Sequence, residues 1–239
     1  MARRTKRTWR LPWRLLWRLA LLLVAALVVY ESWFFGKVVW WIWVNPTTTA
    51  FMEARLEAMR EDDPQAKLRH KWIPYANISS NLKRALIAAE DAKFLDHDGF
   101  DWQAIQRAAS KNLKRGKVVA GGSTISQQLS KNLFLSGRRT PWRKLQEAVI
   151  TVMIETVMSK RRILEIYLNV IEWGNGVFGA EAAAWHYYRT GAGRLSAGQA
   201  ARLAAMVPNP RYYDRVRSTP ALEKKAEIIR SRMHLAPVP

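Results

Sequence analysis

The chain has 239 residues, enough for one ordinary globular domain together with a membrane anchor and a tail. It contains no cysteine, which excludes disulfides, thiolate metal sites and a cysteine nucleophile. The formal net charge of +20 favours nucleic acid, anionic lipid or a phosphorylated substrate as the partner.

The first 44 residues predict a membrane anchor. Residues 1–18 hold seven basic residues and no acidic one, and residues 19–30 are unbroken apolar sequence. A helix over residues 15–35 reaches the roughly 20 residues needed to cross about 30 Å of hydrocarbon. Six aromatic residues at the end of this stretch and beyond it predict an interfacial belt: Trp33, Phe34, Phe35, Trp40, Trp41 and Trp43.

A cleaved signal peptide is the alternative to an anchor, because the tail is basic and the apolar run is short. No small-x-small cleavage site follows Tyr30, which favours an uncleaved anchor. The basic tail then stays in the cytoplasm and the domain lies outside. Because a membrane segment separates two basic regions, lipid and phosphate are favoured as partners, and no nucleic-acid partner is expected.

The rest of the chain predicts a mainly α domain, since alternating strand patterns are nearly absent. Ser123 is the predicted N-cap of a helix that ends at Phe134, and Thr140-Pro141 starts a long helix to about residue 157. The charged stretch 51–63 also predicts a helix, without an assignable role. Other helices are expected over residues 82–89, 102–113, 160–169, 180–187, 196–206 and 219–234.

The first segment that departs from the needs of a helical core begins at Glu90-Asp91 and continues to His97 and Gly99. An apolar helix face there delivers two adjacent carboxylates and then a histidine before a glycine turn. Solvated acids at a helix end would give the same pattern. The functional interpretation places Glu90 in a partly apolar cleft, where its pKa is raised enough to accept a proton.

A second such segment covers residues 121–135. A glycine pair leads into a helix N-terminus whose first turn carries hydroxyl groups, an arrangement suited to an anionic group. Gln128, Lys131 and Asn132 add hydrogen-bond donors, with Gln128 and Lys131 on one helix face. A polar helix face that serves only solubility would look similar.

A third segment places Arg143 and Glu147 at i, i+4 on the helix that begins at Pro141. An ordinary surface ion pair explains this spacing. In the functional interpretation, Arg143 faces a pyrophosphate and Glu147 orients it.

Together these segments resemble the peptidoglycan glycosyltransferase family of bacteria, in its monofunctional biosynthetic form. The matching motifs are Glu-Asp-x-x-Phe-x-x-His-x-Gly at 90–99, Gly-x-Ser-Thr-Ile-x-Gln-Gln-Leu-x-Lys-Asn-Leu-Phe-Leu at 121–135 and Arg-Lys-x-x-Glu at 143–147. Two further motifs, at 160–184 and 195–210, follow in the same order. The resemblance covers roughly residues 72–213.

The resemblance implies a lysozyme-like helical fold behind one N-terminal transmembrane helix, in a chain divided into five parts. These are a basic cytoplasmic tail (1–14), a transmembrane anchor with an interfacial aromatic segment (15–44), a membrane-proximal linker or helix (45–71), the glycosyltransferase domain (72–213) and a C-terminal helix (214–239). The location implied is the bacterial cytoplasmic, or inner, membrane, with the catalytic domain on the periplasmic side.

The implied reaction is inverting transfer of a lipid-linked glycan onto lipid II, which forms β-1,4-linked strands and releases undecaprenyl pyrophosphate. Glu90 and Glu147 would be the catalytic residues, with Glu90 as the general base. The implied pyrophosphate and donor contacts are Ser123, Thr124, Gln128, Lys131, Asn132 and Arg143, while Asp91, Phe94 and His97 support the cleft. A divalent metal, Mg²⁺ or Mn²⁺, would be held mainly through the substrate pyrophosphate, and cell-wall synthesis or division proteins are expected partners.

Three other functions would explain parts of the sequence. A lytic enzyme on the same scaffold would cleave glycan with one catalytic glutamate, but it does not need the cationic block at 121–147. A penicillin-binding transpeptidase is suggested by Ser80-x-x-Lys83 and Ser130-x-Asn132, but these patterns are short and the required strands are missing. A membrane-tethered scaffold without activity is disfavoured by the intact motifs.

Overall fold

The computed structural model describes residues 13–117, 121–135 and 140–239. Within these ranges the chain forms eleven α-helices and three very short strands, so the predicted mainly α class is confirmed. The helices are α1 (Trp13–Trp40), α2 (Ala50–Asp62), α3 (Ser80–Glu90), α4 (Trp102–Arg115), α5 (Ile125–Phe134), α6 (Pro141–Val157), α7 (Lys160–Val170), α8 (Ala180–Tyr188), α9 (Ala197–Met206), α10 (Pro210–Val216) and α11 (Pro220–Arg232). The strands are β1 (Arg69–His70), β2 (Glu172–Gly174) and β3 (Val177–Phe178).

The centre of the core is α9, which packs against α3 on one side and α11 on the other. Small alanines and leucines on the facing surfaces, such as Ala85 and Leu86 of α3 and Ala204 of α9, are completely buried. Each buried leucine contributes about 2 kcal/mol of transfer free energy relative to an exposed one. The packing of α11 on α9 places the end of the chain beside the segment that carries Glu90.

The three strands form one small sheet in the order β1-β3-β2, with β1 parallel and β2 antiparallel to β3. Strands of two or three residues are too short to show an alternating pattern, which is why the sequence did not reveal them. Asn169 on α7 holds the segment that follows β1. Its side chain accepts from the Ile73 amide at 2.9 Å and donates to the Ile73 carbonyl at 3.0 Å.

Helix N-caps agree with the sequence at most positions. Asp101 caps α4, at the start of the predicted helix 102–113, and Thr140 caps α6 as predicted. The predicted cap Ser123 is wrong: Thr124 caps α5, because Thr124 and Gln127 form a reciprocal capping box that Ser123 cannot form with Ser126. The seven-residue helix α10 was also missed, since it is too short to show a helical period.

The N-terminal helix α1 is long and apolar enough to cross a membrane, with a mean hydropathy of 2.0 in its most apolar window. It runs 28 residues, five beyond the predicted 15–35 segment at its C-terminal end. Only its C-terminal part contacts the domain. There Gln146 Nε2 on α6 donates to Glu31 Oε2 at 3.1 Å.

Two members of the predicted interfacial belt have a different role. Phe34 and Trp41 are buried, and their rings lie 5.3 Å and 5.0 Å from the ring of Phe134 at the end of α5. Arg162 on α7 fastens the following turn by donating to the carbonyls of Trp41 and Val44 at 2.9 Å and 3.0 Å. The anchor is therefore docked on the domain by packing and hydrogen bonds.

This docking predicts that a substitution inside the anchor will lower the stability of the domain. Phe34→Ala removes a side chain that is 7% exposed, so we expect a loss of about 3 kcal/mol in unfolding free energy. The neighbouring Phe35, 42% exposed, is the matched control, and Phe35→Ala should leave stability nearly unchanged. Thermal unfolding of the detergent-solubilised full chain measures both, and equal stabilities for the two variants would contradict the docking.

Candidate active site

The C-terminus of α3 delivers two adjacent carboxylates into different surroundings. Glu90 is the last residue of the helix, and Asp91 follows as its C-cap with φ −160°. Glu90 lines a cleft of about 280 Å³, here called the Glu90 cleft, between α3, the start of α4 and the loop 121–124. The break in helical geometry at Asp91 lets the two side chains take separate partners.

A chain of hydrogen bonds positions Glu90. Tyr167 Oη donates to Gln128 Oε1 at 2.7 Å, and Gln128 Nε2 donates to Glu90 Oε2 at 2.9 Å. Tyr167 is completely buried on α7, so its hydroxyl determines which way the Gln128 amide faces. No other described residue hydrogen-bonds the second carboxylate oxygen of Glu90, which leaves that oxygen available to accept a proton.

Burial raises the pKa of Glu90 above its ordinary value. The Gln128 hydrogen bond and the positive charge of Lys225 act in the opposite direction, while the charge of Asp91 raises the pKa further. Lys225 comes from α11, and burial lowers its own pKa while Glu90 raises it. A carboxylate whose pKa is raised in this way is a stronger proton acceptor when ionised, which suits a general base.

Asp91, Phe94 and His97 hold the turn after α3 against the start of α5. Asp91 accepts from the Ile125 amide at 3.0 Å and contacts His97 Nε2 at 2.9 Å. Phe94 is completely buried, and Lys160 Nζ lies 4.8 Å from the centre of its ring. The three predicted supporting residues therefore lie together in the turn that follows Glu90.

The loop 121–124 brings the backbone close to α4. A Cβ atom on Gly122 would lie 3.0 Å from the Cα atom of Ile105, so a larger residue would push the loop away. Ser123 is exposed and lines the Glu90 cleft, where its hydroxyl can meet a ligand. The Thr124 hydroxyl is buried, accepts from the Gln127 amide at 3.2 Å and donates to the Gly99 carbonyl at 2.6 Å. Thr124 thus serves the fold of the loop, and a role toward the donor stays a prediction.

On the other side of Gln128 lies a second cleft of about 280 Å³, here called the Lys131 cleft. Lys131 and Asn132 line it, as does Phe51 of α2, whose ring centre lies 5.7 Å from Lys131 Nζ. Asn132 donates to the Gln128 carbonyl at 2.7 Å. Three predicted donor contacts, Gln128, Lys131 and Asn132, are therefore brought together in one cleft, separated from the first by the Glu90–Gln128 hydrogen bond.

Glu147 is buried on α6 and forms ion pairs with two cations. Arg143 Nη1 lies 3.6 Å from Glu147 Oε2, and Lys144 Nζ contacts Glu147 Oε1. Arg143 Nε is buried and has no hydrogen-bond partner among the described residues. Arg143 lines neither described cleft, and the chain between α5 and α6 includes residues 136–139, outside the described ranges. Convergence of Lys131 and Arg143 on one ligand stays a prediction.

Sequence reasoning missed two residues that act on Glu90. Tyr167 lies in the fourth motif, where it looks like one more apolar helix residue, and its role depends on a contact with Gln128 39 positions away. Lys225 lies on the C-terminal helix, outside every motif. Lys225 can be recognised only from the fold, because the packing of α11 on α9 and α3 brings it near Glu90.

The described residues contain no group of three or more histidine, aspartate or glutamate side chains that could bind a metal ion. The carboxylate of Asp91 is already engaged by His97 and by the Ile125 amide. The carboxylates and histidines of the described residues therefore do not form a site that would hold a metal ion through protein ligands alone.

A family model described as transglycosylase matches residues 57–234. This chain belongs to the transglycosylase family.

The transglycosylase is also similar to curated bacterial proteins over most of its length. A biosynthetic peptidoglycan transglycosylase of Chromobacterium violaceum is 64% identical over 217 residues, which cover 91% of this chain and 95% of the relative. A protein of the same name from Methylobacillus flagellatus is 64% identical over 219 residues, covering 92% and 96%. One from Laribacter hongkongensis is 63% identical over 217 residues, covering 91% and 95%.

These matches confirm the predicted family, the lysozyme-like helical fold and the prediction that the chain is a glycosyltransferase enzyme. The penicillin-binding interpretation finds no support, since Ser130 is buried and bonded to the Glu147 carbonyl and the Thr151 hydroxyl. The nucleophile of that pattern would be Ser80, but Lys83, the lysine of the same pattern, is buried with its Nζ 4.0 Å from the centre of the Tyr75 ring.

The position of Lys225 predicts a change in pH dependence for this transglycosylase. As the predicted general base, Glu90 would have to be ionised to act, so activity should fall as the pH drops through its raised pKa. Lys225→Met removes a cation that favours the ionised form, and the acidic limb of the kcat profile should therefore move to higher pH. The adjacent, exposed Lys224 provides the control: if Lys224→Met moves the limb equally, the effect of Lys225 on Glu90 is not specific.

Proposed function

We propose that this transglycosylase polymerises lipid II into β-1,4-linked glycan strands by inverting transfer and releases undecaprenyl pyrophosphate. What carries the proposal is the position of Glu90, a half-buried carboxylate with a raised pKa between an open cleft and a cleft that contains a lysine. The names of the relatives, which describe them as biosynthetic peptidoglycan transglycosylases, support the same substrate class.

In the proposed reaction, the acceptor sugar enters the Glu90 cleft and its 4-hydroxyl meets the free oxygen of Glu90. Glu90 takes the hydroxyl proton while the sugar oxygen attacks the anomeric carbon of the donor. The bond from that carbon to the pyrophosphate breaks and the configuration inverts. Gln128 holds Glu90 from the donor side, so the base is directed at the junction between the two clefts.

The departing pyrophosphate needs charge stabilisation rather than a proton. Lys131 provides a cation in the donor cleft, and Arg143, held by Glu147, provides a second one at the start of α6. The buried Arg143 Nε atom without a described partner is a donor for a phosphate oxygen. Mg²⁺ or Mn²⁺ bound through the pyrophosphate would add a Lewis acid at the leaving group.

We also propose that the enzyme lies at the bacterial cytoplasmic membrane with its catalytic domain on the outer side. The support is α1, with its basic flank at the N-terminus, and the exposed Trp102 and Leu113 on α4, whose other exposed residues include Lys111 and Lys114. A basic helix with exposed apolar residues suits a surface of anionic lipid. Cell-wall synthesis or division proteins are the expected protein partners.

A lytic enzyme remains the second candidate, because one half-buried glutamate beside a sugar-sized cleft also suits glycan cleavage. Lysine-lined space next to the glutamate favours transfer, since glycan cleavage has no diphosphate leaving group. Incubating the wild type separately with lipid II and with purified glycan distinguishes the two functions.

The base role of Glu90 gives the first test of the proposal. Glu90→Gln keeps the shape and the contact with Gln128 but removes the proton acceptor, so polymerisation should fall by roughly 10²–10⁴-fold. Unchanged thermal unfolding would show that the fold survives. Near-normal polymer formation by a folded Glu90→Gln enzyme would exclude Glu90 as the base.

The cationic residues give the second test. Lys131→Ala and Arg143→Ala should each lower kcat by about 10²-fold or more, because both cations stabilise charge that develops on the leaving group. Raising the lipid II concentration should not restore the rate. Lys224→Ala, an exposed change on α11, controls for the general loss of positive charge. If both variants keep kcat, the pyrophosphate role of these residues is wrong.

A further inference from the structure

A second basic pocket lies next to the Lys131 cleft, and the reaction described above does not use it. It has a volume of about 550 Å³ and lies between α2, the β2–β3 turn and α10. Three arginines line it: Arg55 from α2, and Arg211 and Arg215 from α10. The last two are four residues apart, so they project from the same face of their helix.

The carboxylates near this arginine pocket are already engaged. Glu172 is buried and lies 3.2 Å from Arg55 Nε and 3.8 Å from Arg211 Nε. Asp214, which lines the pocket, contacts His186 Nε2 at 2.7 Å and accepts from the Asn175 amide at 2.9 Å.

By contrast, Arg215 is exposed, and no described residue forms a hydrogen bond or an ion pair with it. Glu172 balances one of the two charges of Arg55 and Arg211. Asp214 pairs with His186 and Arg217, so Arg215 has no carboxylate partner and positive charge is left over. Arginine is suited to binding carboxylate and phosphate groups through two parallel hydrogen bonds.

The arginine pocket is continuous with the Lys131 cleft. Asn209 and Arg211 line both spaces, and α2 contributes to both through Phe51 and Arg55. The two spaces are therefore neighbours, and one extended ligand can contact both. This placement also gives α2 a role that its sequence did not reveal, and Arg55 precedes the residues matched by the family model.

We propose that the Arg55–Arg211–Arg215 pocket binds an anionic group of the same substrate molecule that occupies the Lys131 cleft. The inference rests on the proposed function, and it adds a recognition site away from the reacting atoms. Two sources of the anion have the required chemistry: a carboxylate of the peptide carried by the sugar, or a phosphate. A peptide carboxylate does not change during the reaction, so a site that binds it should affect KM rather than kcat, whereas a site that binds the departing phosphate should also affect kcat.

The test uses Arg215, because its replacement breaks no described contact and the full-length enzyme should fold normally. Arg215→Gln should raise the KM for lipid II with free peptide carboxylates by about five- to tenfold, with kcat nearly unchanged, and Arg215→Glu should raise it further. The same assay with lipid II whose peptide carboxylates are amidated identifies the anion. A carboxylate source predicts that the variant and the wild type become equal on the amidated substrate, whereas a phosphate source predicts that the difference persists.

Arg232→Gln is the matched control, because Arg232 is an exposed arginine of α11 that lines neither the clefts nor the arginine pocket. If Arg215→Gln and Arg232→Gln give the same KM on both substrates, the pocket does not bind the substrate and the proposal is overturned. A wild type that fails to polymerise lipid II would instead refute the proposed function, so the two failures can be distinguished.

Discussion

The Asp91 carboxylate is the contact on which the arrangement of the active site depends. It follows α3 directly and accepts the first backbone amide of α5, while His97 approaches it from the intervening turn. Negative charge at a helix N-terminus is favourable because the first amides of a helix have no partner within the helix. This single side chain thus joins the helix that carries Glu90 to the helix that carries Gln128 and Lys131.

The two glutamates of the site illustrate how surroundings divide roles between identical groups. Glu147 is buried but forms ion pairs with Arg143 and Lys144, so its charge is balanced by two cations. Glu90 has a neutral amide as its hydrogen-bond partner and a more distant lysine, and burial dominates its pKa. Environments that separate two carboxylates in this way also separate their chemistry, and only Glu90 is left to accept a proton.

Much of this fold could be predicted because its determinants are local. Capping residues such as Asp101 and Thr140 mark helix starts within a few positions. The correct cap of α5 could also have been predicted from the sequence, because Thr124 with Gln127 fits the capping-box pattern and Ser123 with Ser126 does not.

What could not be predicted depends on contacts between distant parts of the chain. Phe34 resembles any other interfacial aromatic residue, and only the packing of α1 beside Phe134 shows that it belongs to the core. Lys225 and Arg55 lie near opposite ends of the domain sequence and carry no local motif. Their significance appears only where α11 reaches Glu90 and where α2 reaches the Lys131 cleft.

The distribution of charge between the two clefts follows the direction of the proposed reaction. Three carboxylates (Glu90, Asp91 and Asp101) and two cations (Lys93 and Arg107) line the Glu90 cleft, so carboxylates are in excess there. Two cations (Lys131 and Arg211) and one carboxylate (Glu172) line the Lys131 cleft, where cations are in excess. Glycosyl transfer moves negative charge from the attacking oxygen toward the leaving group, so carboxylates on the acceptor side and cations on the donor side both lower the barrier. Since this polarity exists before any substrate binds, the enzyme does not need to reorganise its charged groups in the transition state. The same polarity would oppose the reverse placement of donor and acceptor, because a pyrophosphate in the Glu90 cleft would meet three carboxylates and only two cations.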